Sequence, residues 1–236
     1  MQSIPATTPP PHEELRDYVG HFLIYAGGAE IDTPALGLSE QGFHLQAGMR
    51  WSRHISLGID FSHVTGNNTI GLGLATTALQ NEVNPLLANL KATGIIPQNY
   101  VAALPLSSTT STLTAGPEFP YRRWNRITPY IRPSIGFIFE NATALPPDFV
   151  TKLLVKSIAP TGMESQITEF YGVGGGCGFN LTKHFSLVVQ GDVVHYHLFP
   201  SLLRNGTNAF RISVGPGVQF GKNVTTKWGI PVLHPE

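Results

Sequence analysis

Residues 209–220 read A-F-R-I-S-V-G-P-G-V-Q-F. Phe210, Ile212, Val214, Pro216, Val218 and Phe220 share one parity, and Arg211, Ser213, Gly215, Gly217 and Gln219 share the other. Side chains of a strand alternate between its two faces, so this is a strand with one apolar face and one small or polar face. A soluble protein turns such an apolar face inward, whereas a membrane barrel turns it outward to lipid.

The same alternation recurs upstream. It predicts strands at about 18–27, 42–51, 55–64, 111–122, 127–140, 165–181 and 185–198, with 209–220 the eighth. The first is the least clearly alternating. The connections at 28–41, 66–110, 141–164 and 199–208 read as long. Those near 52, 124 and 183 read as very short. Tight turns at one end and loops at the other describe an up-and-down barrel, and eight is an even strand number. The expected fold is therefore all-β: an eight-stranded antiparallel transmembrane β-barrel with short helices in its long loops. Pro117, Pro129, Pro133 and Pro216 are awkward inside central strands, because proline has no N–H for the ladder.

Composition narrows the classes. Charged residues are 13% of the 236, about half the roughly 25% of an average soluble domain. The formal net charge is zero with no basic run, which argues against a nucleic-acid partner. A single cysteine, Cys177, excludes an internal disulfide framework and a cysteine-rich metal site. No apolar run approaches the ~18 residues of a membrane helix, but barrel strands need only about 9–11. The N-terminus carries no visible signal peptide, and we read the chain as a mature form whose leader has been removed. The domain reading is a Pro-rich arm at 1–17, a barrel at 18–221 and a tail at 222–236.

With the even parity of strands two to seven and the odd parity of strand eight turned inward, the lumen collects Arg50, Arg132 and Arg211 with Asp60, Glu118 and Asp192. These charges balance, as buried charges must. The outer face collects the large apolar residues. Trp51, Tyr121, Trp124, Phe179, Phe185 and Phe220 fall at strand ends near the short turns, where interfacial aromatics form girdles. The inverse assignment is a soluble carrier of apolar ligands. The end-placed aromatics, the segregated loops and the weakly charged polar face favour the membrane.

The segments T-P-Y-I-R-P-S-I-G-F-I-F, F-Y-G-V-G-G-G-C-G-F-N-L and F-R-I-S-V-G-P-G-V-Q-F-G resemble those of the small bacterial outer-membrane β-barrels of the OmpA/OmpX type. The resemblance covers about 200 residues and implies residence in the outer membrane, with lipid and lipopolysaccharide as neighbours. The last strand, ending in Phe220, is similar to the signal read by the barrel-assembly machinery, although a tail follows it.

A narrow eight-stranded lumen fills with its own side chains, so the ionic set reads as a plug, with a narrow ion or solute pore as the alternative. Function then falls to the loops, in a structural, adhesion or surface-recognition role. Leu79, Val83, Leu86, Leu87 and Leu90 stand at helical spacing, as do Phe149, Val150, Leu153, Leu154 and Ile158 behind Asp148. Their apolar faces read either as a lid over the barrel mouth or as a docking surface for an extracellular partner. No cofactor, metal or enzymatic activity is expected. His195 and His197 share a strand face but have no identifiable third ligand. A His-x-Ser triplet, His54-Ile55-Ser56, sits at the end opposite the long loops, where a lipid-modifying enzyme of the outer leaflet could not use it. Cys177 reads as lipid-facing packing.

Overall fold

The computed structural model describes residues 15–158, 161–196, 203 and 207–224. Eight strands form one closed antiparallel barrel in chain order. They are β1 (Gly20–Thr33), β2 (Leu38–Arg50), β3 (Ser56–Gly71), β4 (Ala103–Pro120), β5 (Ile127–Ala144), β6 (Met163–Asn180), β7 (Phe185–Tyr196) and β8 (Thr207–Asn223). The ring closes where β1 pairs with β8, from Phe22 opposite Phe220 up to Asp32 opposite Phe210. Helices α1 (Thr77–Ala92) and α2 (Phe149–Ile158) occupy the β3–β4 and β5–β6 connections. Among the described residues no helix is long and apolar enough to cross a membrane.

The alternating parities point as expected. Arg50, Asp60, Glu118, Arg132, Asp192 and Arg211 are all buried inside the ring. Phe22, Ile24, Phe43, Leu45, Ile59, Phe61, Leu113, Ile131, Ile135, Val173, Val214 and Phe220 are all exposed outside it. An apolar exterior of this extent around a charged interior is the arrangement of a membrane barrel.

The strands run further than the alternation indicated. The first does not stop at 27 but continues to Thr33, and the 28–41 connection shrinks to a turn at 34–37, closed by Leu36 N–H to Thr33 O (3.0 Å) with Gly37 at φ 63°. β3 reaches Gly71 and β4 begins at Ala103, so 66–110 is a loop only in its middle. β8 extends past Phe220 to Asn223. Residues 1–14 of the arm and 225–236 of the tail lie outside the described residues, as does most of 199–208.

These extensions carry polar residues outward. β3 presents Leu57, Ile59 and Phe61 and then His63, Thr65, Asn67 and Thr69. On β4 the register sets Leu113 opposite Phe61 and Ser111 opposite His63. Glu30, Gln41, Asn141 and Asn208 continue that boundary around the ring. The apolar belt therefore occupies the lower barrel, toward the short turns, and a water-facing collar of barrel rises above it.

Pro117 and Pro133 sit where the ladder between β4 and β5 is interrupted. Pairing of β4 with β5 stops at Ala115↔Ile135 and resumes in the same register at Phe119↔Ile131. That register sets Pro117 opposite Pro133, so two residues without an N–H share one gap, and no bulge is needed. The short turns are tied by backbone bonds, such as Leu181 N–H to Phe185 O (2.9 Å). In the β2–β3 turn, Ser52 Oγ accepts from the N–H groups of His54 (3.2 Å) and Ile55 (3.1 Å).

Candidate functional site: a layered lumen under a helical cap

The lowest layer lies toward the short turns. Arg50 does not bond a carboxylate there; its Nη1 donates to Gly20 O (3.2 Å) and to Gln219 Oε1. Arg50 thus stands at the end of β2, bonded to a strand-end carbonyl and a neutral amide, with the Glu118 charge acting on it from nearby. Glu118 instead accepts from Gln46 and from Ser56 Oγ (3.0 Å), and lies 4.0 Å from Arg132. Ser56 is thus committed inside the barrel wall, while His54 lies in the turn. The aromatics Trp51, Tyr121, Trp124, Phe179, Phe185 and Phe220 stand exposed around this end, Tyr121 and Trp124 in edge contact at 5.6 Å.

The middle layer is a compact ionic cluster. Arg132 Nη1 lies 2.7 Å from Asp60 Oδ2, and its Nη2 3.3 Å from Asp192 Oδ1. Arg211 bridges the same two acids, with Nη1 2.9 Å from Asp60 Oδ1 and Nη2 2.8 Å from Asp192 Oδ2. Two guanidinium groups alternating with two carboxylates neutralise each other. Asp60 also meets His44 Nε2 (3.2 Å) and the Thr114 hydroxyl, and Asp192 accepts from Gln190 Nε2 (2.9 Å). Thr112 Oγ1 accepts from Arg211 Nη1 (3.0 Å).

The glycine-rich β6 makes room for this cluster. Gly174 pairs with both Arg132 and Asp192, and a Cβ there would sit on Asp192 Oδ1. At Gly176 it would sit 2.6 Å from Tyr130 Oη. Cys177 points outward from this strand and is unpaired by any disulfide.

Above the cluster the lumen turns apolar, which the reading of strand faces had missed. Ala29, Val64, Ile138, Phe170, Val194 and Ala209 pack across the barrel with Ile31, Leu38 and Tyr196. They share the inward parity with the charged residues below. An ionic cluster thus lies beneath an apolar layer of packed side chains inside the ring. Recordings in planar bilayers are therefore expected to show no single-channel steps above the lipid baseline. A stable protein-dependent open level would overturn the plugged lumen.

The helical cap forms the topmost layer. Thr76 caps α1, its hydroxyl accepting from Leu79 N–H (3.4 Å). Asp148 precedes α2, and its Oδ1 accepts from Thr151 N–H (2.7 Å). That backbone bond holds the Asp148 carboxyl below its usual range. Tyr100 Oη donates to the other oxygen of Asp148 (3.2 Å), tying the two connections together. Val83, Leu87, Val150 and Leu154 form a buried cluster between the helices, with Leu79 and Leu90 packed against it. Leu86, Phe149 and Leu153 face away from it and are exposed, Phe149 at 70%. Of the residues expected at the loop faces, Leu87, Leu90 and Leu154 thus line the seam, and Leu86, Phe149 and Leu153 the outer surface.

His195 Nδ1 lies 2.8 Å from Asn208 Oδ1, while His197 lies outside the described residues. No cluster of three or more metal-ligating side chains occurs among the described residues.

A closed eight-stranded antiparallel barrel with an apolar outer belt and a charged core is the architecture of the small bacterial outer-membrane β-barrels, and this chain has that fold. The solved structure of Neisserial surface protein A is similar to it at a TM-score of 0.51, with 11% identity over 85% of this chain and 98% of that one. Outer membrane protein OprG from Pseudomonas aeruginosa is similar at a TM-score of 0.51, with 11% identity over 89% of this chain and all of that one (100%). No family model and no curated protein matches the chain by sequence.

Proposed function

We propose that the protein is a non-conducting barrel of a bacterial outer membrane, without enzymatic activity, whose work is surface recognition or adhesion through its helical cap. In barrels of this kind the long connections face outward from the cell and the short turns face the periplasm. The observation that carries the reading is the outer surface of the cap. Ile95, Val101, Leu145, Phe149 and Leu153 are all exposed on the two connections that hold the helices, Val101 at 80%. Exposed large apolar side chains concentrated on a water-facing cap, beyond the belt that lipid covers, are a feature of interaction sites. Lipid and lipopolysaccharide surround the barrel in this reading, and the assembly machinery recognises β8 with its Phe220.

The test strips the cap surface and leaves the barrel alone. Cells displaying the protein are expected to adhere to a surface or partner cell, with adhesion falling at least several-fold for the triple variant Val101→Ser, Phe149→Ser, Leu153→Ser. Its heat-modifiable gel mobility should be unchanged. Adhesion that survives the stripping, or that never exceeds the level of cells lacking the protein, would sink the reading.

A further inference from the structure

Between the apolar layer of the lumen and the underside of the cap lies a cavity of ≈ 160 Å³. Its walls include Ile70, Leu106 and Ala142 of the barrel collar, and its roof is Leu79 and Val83 of α1 with Leu154 of α2. Three acids line this greasy space; Glu40 from β2 and Glu140 from β5 are buried, and Glu164 from β6 is half-buried. Glu140 Oε2 accepts from Gln166 Nε2 (2.8 Å), but its Oε1 has no hydrogen-bond partner. Glu40 Oε1 likewise has none, although the Ser108 and Thr110 hydroxyls, which also line the cavity, stand beside this carboxylate. Among the described residues no Lys, Arg or His lines the cavity. The Tyr196 hydroxyl at its edge is engaged with Thr33 Oγ1 (3.1 Å).

This differs sharply from the ionic cluster below, where every carboxylate meets a guanidinium. Buried carboxylate oxygens without a donor are costly, and the cost is relieved by a proton or by a cationic donor brought in from outside. An ammonium group is the matching head: it is positive and carries several N–H donors for acceptor-only oxygens. The rest of the cavity asks for an apolar body, and an apolar cavity of about 150 Å³ is large enough for benzene.

We propose that this cavity is a binding site for a small primary amine in its ammonium form, with a compact apolar body of five to seven carbons and its nitrogen held by Glu40 and Glu140. The walls select size and apolarity, and the two buried acids select the charge of the head. The site lies beneath the cap and does not depend on the adhesive role of the cap's outer surface.

The protein folded into lipid nanodiscs is titrated with n-hexylamine, n-hexanol and hexanoate at neutral pH, with empty nanodiscs subtracted, and binding is read by calorimetry. Hexylammonium is expected to saturate a single site, hexanol to bind at least ten-fold more weakly, and hexanoate not to bind. The double variant Glu40→Gln, Glu140→Gln should lose the preference for hexylammonium over hexanol. Val83→Trp, which fills the cavity and keeps both acids, should abolish binding of either, and it serves as the test should the double variant fail to fold. Hexanol binding as tightly as hexylammonium, an undiminished affinity in either variant, or no saturable binding of hexylammonium would each overturn the proposal.

Discussion

Arg132→Met is expected to destabilise the folded barrel by about 3–5 kcal/mol, the cost of removing one partner from a buried ion pair. Arg132 is fully buried, and its loss leaves Asp60 and Asp192 to share Arg211 alone. One guanidinium cannot neutralise two buried carboxylates. The charge-balanced double variant Arg132→Met, Asp192→Asn leaves the single pair Arg211–Asp60 and should recover a large part of the loss. Urea titration of the protein in lipid vesicles, followed by tryptophan emission and gel mobility, measures both. A cost for the single variant below about 1 kcal/mol, the range of solvent-exposed pairs, would show that water reaches the cluster and that the lumen is not plugged.

Ile135→Arg is expected to cost about 2–4 kcal/mol in the same titration, as an arginine near the middle of a lipid-facing belt does. Ile135 is 70% exposed, and in a soluble protein a charge there would be harmless. Thr69→Arg is the control. Thr69 faces outward from the collar, above the belt, and should change stability by no more than about 0.5 kcal/mol. Small and equal costs at the two positions would place water around the whole barrel and remove the membrane from the description. A large cost at both would place the belt's upper edge above Thr69, rather than between Phe61 and His63.

The contrast between these positions also explains which strand ends were legible. Within the belt, one face must be apolar and the other polar, so alternation stands out, as in residues 209–220. In the collar, water lies outside and the cap and lumen lie inside. Glu30 and Asp32 face out beside inward Ile31, and Asn67 and Thr69 beside inward Asn68 and Ile70. The pattern blurs or inverts there, and strand reads as loop. The two helices were visible because their period is their own and needs no barrel to define it.

The ionic residues were legible for a similar reason: charges on one parity of successive strands must meet once the ring closes. Their heights were not. Arg50 shares the parity of Arg132 but lies below the cluster, beside Gln219. His44, Gln46, Thr114 and Gln190 complete the network on that same parity, and parity was the only available signal for them. Glu40 and Glu140 had no such signal, because one lay in an expected loop and the other at an expected strand end.

Alternation, charge balance and turn spacing are local properties. From them follow eight strands, their inward faces and the direction in which lipid must lie, since a period-two pattern assigns each side chain to a face before any strand has a neighbour. The vertical order of the lumen is of another kind. Whether an inward residue joins the ionic cluster, the apolar layer or the cavity with two buried acids depends on the stagger between strands. Stagger is set by the ladder hydrogen bonds and by closing β1 onto β8, which join residues nearly the whole chain apart.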